Sequence, residues 1–463
     1  MSRTKELLKN TGILVVAKIS TQVVSFLLLP LYTALLSTAE YGEIDVYTSL
    51  NMIVIPFLTL QSEMGIFRYF ITAKTDDDRQ SIVSSGISII CINVMIVSVI
   101  YYIVSCFFPI HYRYYLMLYY LSLTLSTVLL QIVRAEGKTK IYGIASFIAS
   151  ALAVCLNALF IAGFHWKVEG ILIASIVAHL VSALYLIKKT EILEYYRWKA
   201  ITKESYLTLL KYSTPLVFNQ ISSWVINYSD RLIIINFLGI GLNGIYAIAN
   251  KFSNITSMFF GMFNLAWTES VVRSLDDEDA IEYISKLFML IFNIYLVLIT
   301  GIINILPFLY DLLINSAYEQ AYYHVPILLV AMFFSGMAAT LGSIFIACNK
   351  TKSVSVTTTI SAICNFIVHM ILLRCAGLYA ASISSLVAFA LLFLYRYIIV
   401  QKIFSIKFKV KKMIIPFLIM IFSWVGYISK NPFLILSGLL MNMIDIGIII
   451  YQNKIMGKCL PNR

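Results

Sequence analysis

Amide, hydroxyl and charged side chains interrupt several long apolar stretches of the chain, and these residue types suit the binding of sugars, phosphates or small cations. In the seventh stretch they are Asn219, Gln220, Ser223, Asn227, Asp230 and Arg231. In the eighth they are Asn250, Lys251, Asn254, Ser257 and Asn264, with Gly261 on the same face, and in the first they are Lys18, Gln22, Ser25 and Tyr32. Spacing of mostly three and four residues places each series on one face of a helix. Such a face predicts either the lining of a hydrated cavity or polar contacts between helices.

The charged members of these series each have two interpretations. Lys18 is either a cation facing a cavity or a side chain that extends along the helix to the cytoplasmic surface. Arg231 and Lys251 lie at similar depth in their stretches, and Asp230 is close enough in sequence to pair with either one. Pairing would make a structural ion pair, whereas a cation left unpaired would contact a phosphate or an acidic sugar. A charge near the centre of a bilayer costs roughly 2.5–3.5 kcal/mol, so neither arrangement is neutral.

Glu63, Asp230 and His369 are the candidates for a coupling-ion site, because ionisable groups inside a membrane can carry H⁺ or bind Na⁺. Glu63 lies near the inner end of the second stretch, where a solvated helix terminus is the alternative. His369 is either a hydrogen-bonded core histidine or a proton carrier. The sequence has no metal-ligand spacing and no nucleophile beside a base. We therefore expect a protein that is not an enzyme and holds no metal or cofactor apart from a Na⁺ or H⁺ coupling ion.

The elements that must position these side chains are membrane helices. The chain has 463 residues, 60% of them hydrophobic and 13% charged, whereas a soluble domain is about half apolar and a quarter charged. A transmembrane helix needs roughly 20 mostly apolar residues. The stretches that qualify are 11–36, 46–66, 82–108, 114–133, 141–163, 170–187, 212–238, 244–266, 284–307, 323–347, 353–373, 378–400, 413–428 and 433–452. The predicted fold is all-α and integral to the membrane, with about fourteen transmembrane helices.

The Lys and Arg residues of the connections predict the orientation. With the amino terminus in the cytoplasm, 28 of the 35 fall in inner connections, 4 fall in outer ones and three lie within predicted spans. The inner connections in this count include residues 396–413. Because inner connections are enriched in basic residues, both termini are predicted to be cytoplasmic and the membrane to be the bacterial inner membrane. The net charge of +12 follows from this distribution, so we expect no binding of nucleic acid.

Four short motifs recur in the same order in the two halves of the sequence, which indicates an internal repeat. One residue of each motif, Gly42, Asp76, Gly137 and Gly170, corresponds in turn to Gly244, Asp276, Asn349 and Gly377, 200 to 212 positions later. Six spans separate the copies, so both copies cross the bilayer in the same direction, which is a common plan among transporters. The predicted lobes are residues 1–200 and 201–402. Residues 403–463 add two further C-terminal spans, which we expect to pack on the lobe exterior.

Two segments resemble a known family of transporters. The first is Pro30-Leu31-Tyr32-Thr33 followed by Glu40-Tyr41-Gly42; the second is Asp230-Arg231-Leu232-Ile233-Ile234, then Phe237-Leu238-Gly239 and Gly244-Ile245-Tyr246-Ala247. Over residues 1–400 their order and spacing resemble the O-antigen and exopolysaccharide flippases, a branch of the multidrug, oligosaccharidyl-lipid and polysaccharide exporter superfamily. The resemblance implies two six-helix lobes around a central cavity that opens alternately to each side. It also implies a polyprenyl-diphosphate-linked oligosaccharide as cargo.

The resemblance and the polar faces together predict a flippase for an undecaprenyl-diphosphate-linked repeat unit of O-antigen lipopolysaccharide or exopolysaccharide. It would move this lipid from the cytoplasmic to the periplasmic leaflet by alternating access, with a polysaccharide polymerase and a chain-length regulator as partners. An ion gradient would supply the energy, since one charge crossing 100 mV yields about 2.3 kcal/mol. The alternatives are a multidrug or peptidoglycan-lipid-precursor exporter of the same superfamily, and an enzyme, a membrane glycan polymerase. The short outer connections argue against a polymerase.

Overall fold

The computed structural model describes residues 26–108, 110–275, 277–348, 350–406 and 411–459. Within these ranges all regular secondary structure is helical, which confirms the predicted all-α class. By contacts the chain divides into two compact units, residues 1–232 and 233–463. The predicted lobe boundaries at residues 200 and 402 rest on the sequence repeat and stay predictions.

The first unit contains eight complete helices and most of a ninth. They are α1 Leu29–Leu35, α2 Thr38–Ser49, α3 Asn51–Thr59, α4 Ser62–Thr72, α5 Asp76–Phe107, α6 Arg113–Ala135, α7 Thr139–Ala158, α8 Lys167–Lys189 and α9 Lys203–Leu238. A π-helical turn, Leu159–Gly163, extends α7. Two short 3₁₀ turns, Ile192–Tyr195 and Trp198–Ala200, lie between α8 and α9.

The second unit contains the end of α9 and seven further helices. These are α10 Ile240–Ser274, α11 Ala280–Leu313, α12 Gln320–Ala347, α13 Thr351–Ala376, α14 Tyr379–Ile403, α15 Lys411–Ser429 and α16 Pro432–Cys459. The 3₁₀ turn Ser316–Tyr318 joins α11 to α12.

The second to the fourteenth predicted spans all coincide with helices, and the first falls within the described residues only from residue 26 onward. In the described part of the chain, nine helices are long and apolar enough to cross a membrane, and a bent helix pair adds a tenth candidate. Helix α15 is apolar but shorter. Helices α9 and α10 have 36 and 35 residues but are too polar to qualify by composition, because their polar series interrupt the apolar sequence.

The second predicted span is a broken helix. The axis bends by 61° between the segments Thr38–Thr59 and Ser62–Thr72, where Leu60 and Gln61 adopt left-handed backbone angles (φ 49° and 56°). A break leaves backbone carbonyls without intrahelical partners, and such groups are costly to bury unpaired. Asn93 of α5 donates from Nδ2 to the carbonyl oxygens of Phe57 and of Leu58, the latter at 3.1 Å. This side chain stabilises the break by satisfying carbonyls in the last turn of α3.

The core of the second unit forms around α12, which packs against α10 and α14. Most of its side chains are buried, and its aromatic neighbours include Phe260 and Tyr295, whose ring centroids are 4.7 Å apart. Gly336 of α12 makes this packing possible. A Cβ atom there would lie 2.6 Å from Tyr295 Cε1 and 3.1 Å from Phe260 Cδ2.

The two C-terminal helices α15 and α16 pack on the second unit through specific polar contacts as well as apolar ones. Ser423 Oγ accepts a 2.9 Å hydrogen bond from Asn304 Nδ2 of α11. The Tyr322 and Tyr427 rings stack at 4.1 Å, and each hydroxyl donates to the other residue's carbonyl at 2.9 Å. These contacts fix the position of the C-terminal pair on the second unit.

Arg396 does not belong to an inner connection, where the sequence count placed it, but is buried within α14 at 5% exposure. Its guanidinium donates to Ala338 O of α12 at 2.8 Å, and to Thr357 Oγ1 and Thr358 Oγ1 of α13 at 3.0 and 2.8 Å. It also donates to Val354 O at 3.3 Å. Among the described residues all its partners are neutral oxygen atoms, so this cation joins three helices without a carboxylate.

We expect Gly336→Ala to lower the free energy of unfolding by about 1–3 kcal/mol, the usual cost of overpacking a filled core. The measurement is thermal unfolding of the purified full-length protein in detergent. Gly261→Ala is the matched control, because a Cβ at this helical glycine meets no atom within 4 Å. It should be neutral or stabilising, since Ala is favoured over Gly in a helix by about 1 kcal/mol. Equal midpoints for the two variants would contradict this account of α12.

Candidate functional site

The polar series of α9 has two parts that differ in exposure. Asn219 and Asn227 are exposed, and Gln220 and Ser223 are half-buried. Asn227 Nδ2 donates to the Ser223 carbonyl one turn earlier at 2.7 Å. Its amide oxygen can therefore still accept a hydrogen bond from a ligand or from water. An exposed amide on this helix has the chemistry needed to line a hydrated path.

Asp230 and Arg231, at the end of the same series, are buried at 7% and 6% exposure. Arg231 Nε donates to Asp45 Oδ2 of α2 at 2.6 Å, and its guanidinium lies 4.6 Å from the centre of the Tyr228 ring. The sequence suggested Asp230 as the carboxylate for Arg231 but did not suggest Asp45. Asp45 precedes the second predicted span by one residue, so no helical spacing within a span could have revealed the pair.

Helix α9 runs antiparallel along the broken span. Near its start, Ser213 Oγ would lie 2.8 Å from a Cβ atom at Gly65 of α4. Further on, Trp224 Nε1 donates to the Ser49 carbonyl of α2 at 3.1 Å, and Arg231 then reaches Asp45. Within the first unit, α9 (the seventh predicted span) therefore packs against the second predicted span along most of its length.

Glu63 lies in the first turn of α4, directly after the helix break. It is 3% exposed, so the solvated helix terminus considered from the sequence is wrong. Its carboxylate contacts the Thr59 hydroxyl, and its Oε2 atom has no hydrogen-bond partner among the described residues. Burying a carboxylate without full hydrogen bonding is costly, so this oxygen is a natural place for a further polar partner.

The polar series of α10 follows one face of that helix in the second unit. Asn254 and Gly261 are exposed, and Asn250, Ser257 and Asn264 are half-buried, as is Lys251. A Cβ at Gly261 would meet no atom within 4 Å, so space is open at this level of the helix. The adjoining face packs on α12, where Trp267 Nε1 donates to the Thr340 carbonyl at 2.8 Å and Ser343 Oγ donates to Asn264 Oδ1 at 3.5 Å.

His369 of α13 is fully buried, and Asn365 one turn earlier is 8% exposed. Burial is common to both interpretations of His369, the core histidine and the proton carrier, and it does not separate them. Lys18, Gln22 and Ser25 lie outside the described residues. The structure thus brings together the α9 series with the broken span in the first unit, and the α10 series with α12 in the second.

Comparison with solved structures defines the class of fold. The lipid II flippase MurJ in an inward closed conformation matches with a TM-score of 0.72 and 16% identity, over 97% of this chain and 100% of that chain. An inward-facing multidrug resistance MATE family transporter of the MOP superfamily matches with a TM-score of 0.69 and 12% identity, over 82% of this chain and 95% of that chain. The Vibrio cholerae MATE transporter VcmN in its bent form matches with a TM-score of 0.55 and 16% identity, over 86% of this chain and 96% of that chain. The chain shares the fold of these solved structures.

A family model described as "Polysaccharide biosynthesis protein" matches residues 7–268. The match covers more than half of the chain, and the chain belongs to this family. It includes the first polar series, the broken span, and the series of α9 and α10. A comparison with curated protein sequences finds no significant match.

We expect Arg231→Gln and Asp45→Asn each to lower the free energy of unfolding by about 3–5 kcal/mol, because each removes one partner of a buried ion pair. The double variant should lose less than the sum of the two single losses, since neither charge is then left without the other. Thermal unfolding in detergent of the four proteins in this double-mutant cycle measures the coupling.

The matched control is the exposed pair Arg273–Glu269, with side chains 76% and 57% exposed. Exposed pairs contribute roughly 0–1 kcal/mol, so Arg273→Gln should change stability little. Additive losses at Arg231 and Asp45 would show that their contact does not stabilise the first unit.

Proposed function

We propose that the protein is a flippase that moves an undecaprenyl-diphosphate-linked oligosaccharide from the cytoplasmic to the outer leaflet of the bacterial inner membrane by alternating access. The cargo would be the repeat unit of an O-antigen or exopolysaccharide. A polysaccharide polymerase and a chain-length regulator would then use it. Both chain termini would lie in the cytoplasm.

The family match over residues 7–268 is the observation that carries this proposal. The family is defined by polysaccharide biosynthesis, and the MOP-superfamily fold is that of a transporter, which directs the proposal toward transport of a polysaccharide precursor. One solved neighbour is a lipid II flippase by name, so a lipid-linked cargo is compatible with this fold. The solved neighbours are transporters and not glycan polymerases, which supports a function in transport without an enzymatic step.

The chemistry of the cargo explains why such a protein would need polar faces within membrane helices. Each sugar hydroxyl that leaves water without a hydrogen-bond partner costs roughly 2–7 kcal/mol, and the diphosphate costs more. Exposed amides such as Asn227 and Asn254 can replace water as donors and acceptors. With Lys18, Gln22, Ser25 and Asn219 they are the proposed lining of the substrate path, while Lys251 would supply positive charge, because the charge of Arg231 is paired with Asp45.

We further propose that Glu63 binds the coupling ion, H⁺ or Na⁺. Its buried carboxylate lies at the break of the second span, and one oxygen lacks a hydrogen-bond partner among the described residues. Broken membrane helices commonly form ion sites in transporters, because the break frees polar groups within the bilayer. Asp230 and His369 stay secondary candidates for this role.

A second candidate function is export of the peptidoglycan lipid precursor, and the match to the lipid II flippase over nearly the whole chain favours it. Multidrug export is a third, favoured by the likeness to the MATE transporter. Both share the fold and the polar faces, and they differ from the proposal in cargo. Genetic experiments that follow the cargo therefore separate the three.

Deleting the gene in its host should remove the surface glycan and leave the lipid-linked repeat unit in the cytoplasmic leaflet, because nothing else would carry its head group across. Surface glycan is measured by immunoblotting, and the trapped lipid by its resistance to a periplasmic glycosidase in intact spheroplasts. A plasmid copy should restore the glycan. Asn254→Leu should restore much less, and Phe263→Leu, an exposed neighbour on the same helix, should restore it fully.

Persistent surface glycan in a host without a redundant flippase would reject the proposed cargo. Rescue of a strain depleted of its lipid II flippase would support the second candidate instead. Drug sensitivity of the deletion strain with unchanged glycan would support the third.

We expect Glu63→Gln to make transport insensitive to the ion gradient, because glutamine neither titrates nor carries the charge that binds a cation. The measurement is flipping in proteoliposomes with and without an imposed H⁺ or Na⁺ gradient. Glu319→Gln is the control, since this carboxylate belongs to an exposed ion pair with Lys430. Gradient-dependent flipping by Glu63→Gln would exclude Glu63 as the coupling site.

A further inference from the structure

The first unit contains a cavity of about 460 Å³. It lies at the helix ends that the sequence predicts to be on the outer side of the membrane. It lies between the end of α5, the connection to α6 and the start of α8. Cys106, Tyr112, Arg113, Tyr114, Tyr115 and Glu169 contribute to its lining. The volume falls within the range of ligand pockets, roughly 300–1,000 Å³. None of these residues belongs to the proposed substrate path.

The lining residue Tyr114 belongs to a tyrosine cluster that also includes Tyr101 and Tyr102, which lie outside the lining. The Tyr102 ring lies 6.3 Å from those of Tyr101 and Tyr114. Tyr101 donates from its hydroxyl to the Arg113 carbonyl at 2.9 Å, which fixes the connection to the end of α5. Tyr112 has a left-handed backbone (φ 57°), a conformation that is costly for a bulky residue and is often found where a ligand is held.

Two opposite charges line the same cavity without neutralising each other. The Arg113 guanidinium stacks on the Tyr114 ring at 4.7 Å and donates from Nη2 to its hydroxyl at 2.8 Å. Among the described residues, neither Arg113 nor Glu169 forms an ion pair. Their polar atoms are therefore placed in the cavity as a donor and an acceptor available to a ligand.

The charge around the cavity argues against an anionic ligand. Burial raises the pKa of Tyr112, and the negative charges of Glu43, Glu169 and Glu40 raise it further. Lys167 pairs with Glu40 at 2.8 Å and Glu43 with His111 at 3.2 Å, so these groups surround the connection. A phosphate or an acidic sugar would be repelled by the Glu169 carboxylate in the lining, whereas a neutral group would not be.

We infer that this cavity binds a neutral sugar ring of a glycan on the outer side of the membrane. A pyranose ring has apolar C–H faces that pack on tyrosine rings, and hydroxyls that exchange hydrogen bonds with Tyr114, Arg113 and Glu169. This combination of flat aromatic surface with a few directed polar groups is what such a ligand requires. The inference rests on the proposed function, because it takes the ligand to be part of the glycan that the protein carries.

Cys106 in the lining provides a reporter for this site. Of the seven cysteines in the sequence, the other six are replaced by serine in the full-length chain. The oligosaccharide repeat unit, released by mild acid from the host's own surface polysaccharide, is the probe. At about four times its Kd it should slow labelling of Cys106 by a membrane-impermeant maleimide about fivefold, since only the free site reacts. Sorbitol, a polyol without a ring, should not slow the reaction.

Tyr114→Leu and Arg113→Gln in the same background should abolish this protection. Phe164→Leu, another exposed aromatic residue of the first unit outside the cavity lining, should keep it. Matching thermal unfolding midpoints would show that all three variants are folded. Protection that survives both cavity substitutions would overturn the inference and leave these tyrosines as part of an interfacial aromatic belt.

The two proposals can fail separately. Unprotected Cys106 in a chain that restores surface glycan to the deletion strain would reject the sugar site and leave the flippase proposal standing. Protected Cys106 in a chain on which surface glycan does not depend would support the sugar site and reject the proposed cargo.

Discussion

The structure depends on one constraint: a polar group within the bilayer must have a partner, because hydrocarbon offers none. The broken second span shows the constraint met within the protein. Leu60 and Gln61 interrupt the helix, and Asn93 from α5 bonds to two of the carbonyls near the break. Arg396 is satisfied in the same way by hydroxyls and carbonyls of two neighbouring helices. Glu63 Oε2 has no such partner among the described residues, and the exposed amides of α9 and α10 retain polar atoms that a ligand could use; these groups are the ones on which the proposed function rests.

The same constraint separates two kinds of polar residue on α9. In the first unit, Arg231 pairs with Asp45, and Trp224 donates a hydrogen bond to the Ser49 carbonyl. Asn219 and Asn227 are exposed instead. One helix can therefore be anchored on one side and still present amides on another. This arrangement explains why α9 is long, polar and yet stably packed.

The sequence predicted the helical class, the positions of thirteen spans and the polar series, since each depends on local periodicity and composition. It did not predict the partner of Arg231, because Asp45 is 186 positions away and lies just before a predicted span. It placed Arg396 in a connection, because a basic residue at a helix end usually faces the cytoplasm. It also missed the burial of Glu63, which follows from the break in its helix. These failures all concern contacts between helices, which no single-helix pattern contains.

The contacts of Arg396 have a mechanical consequence for the second unit. If α12, α13 or α14 moved by one helical turn along its neighbours, the displacement would be about 5.4 Å. That distance would break hydrogen bonds between the guanidinium and its four oxygen partners and leave a charge without partners in an apolar interior. Because that state is very costly, these three helices must shift together as a single block. Any rearrangement that carries cargo would then be absorbed at the edges of this block and not inside it.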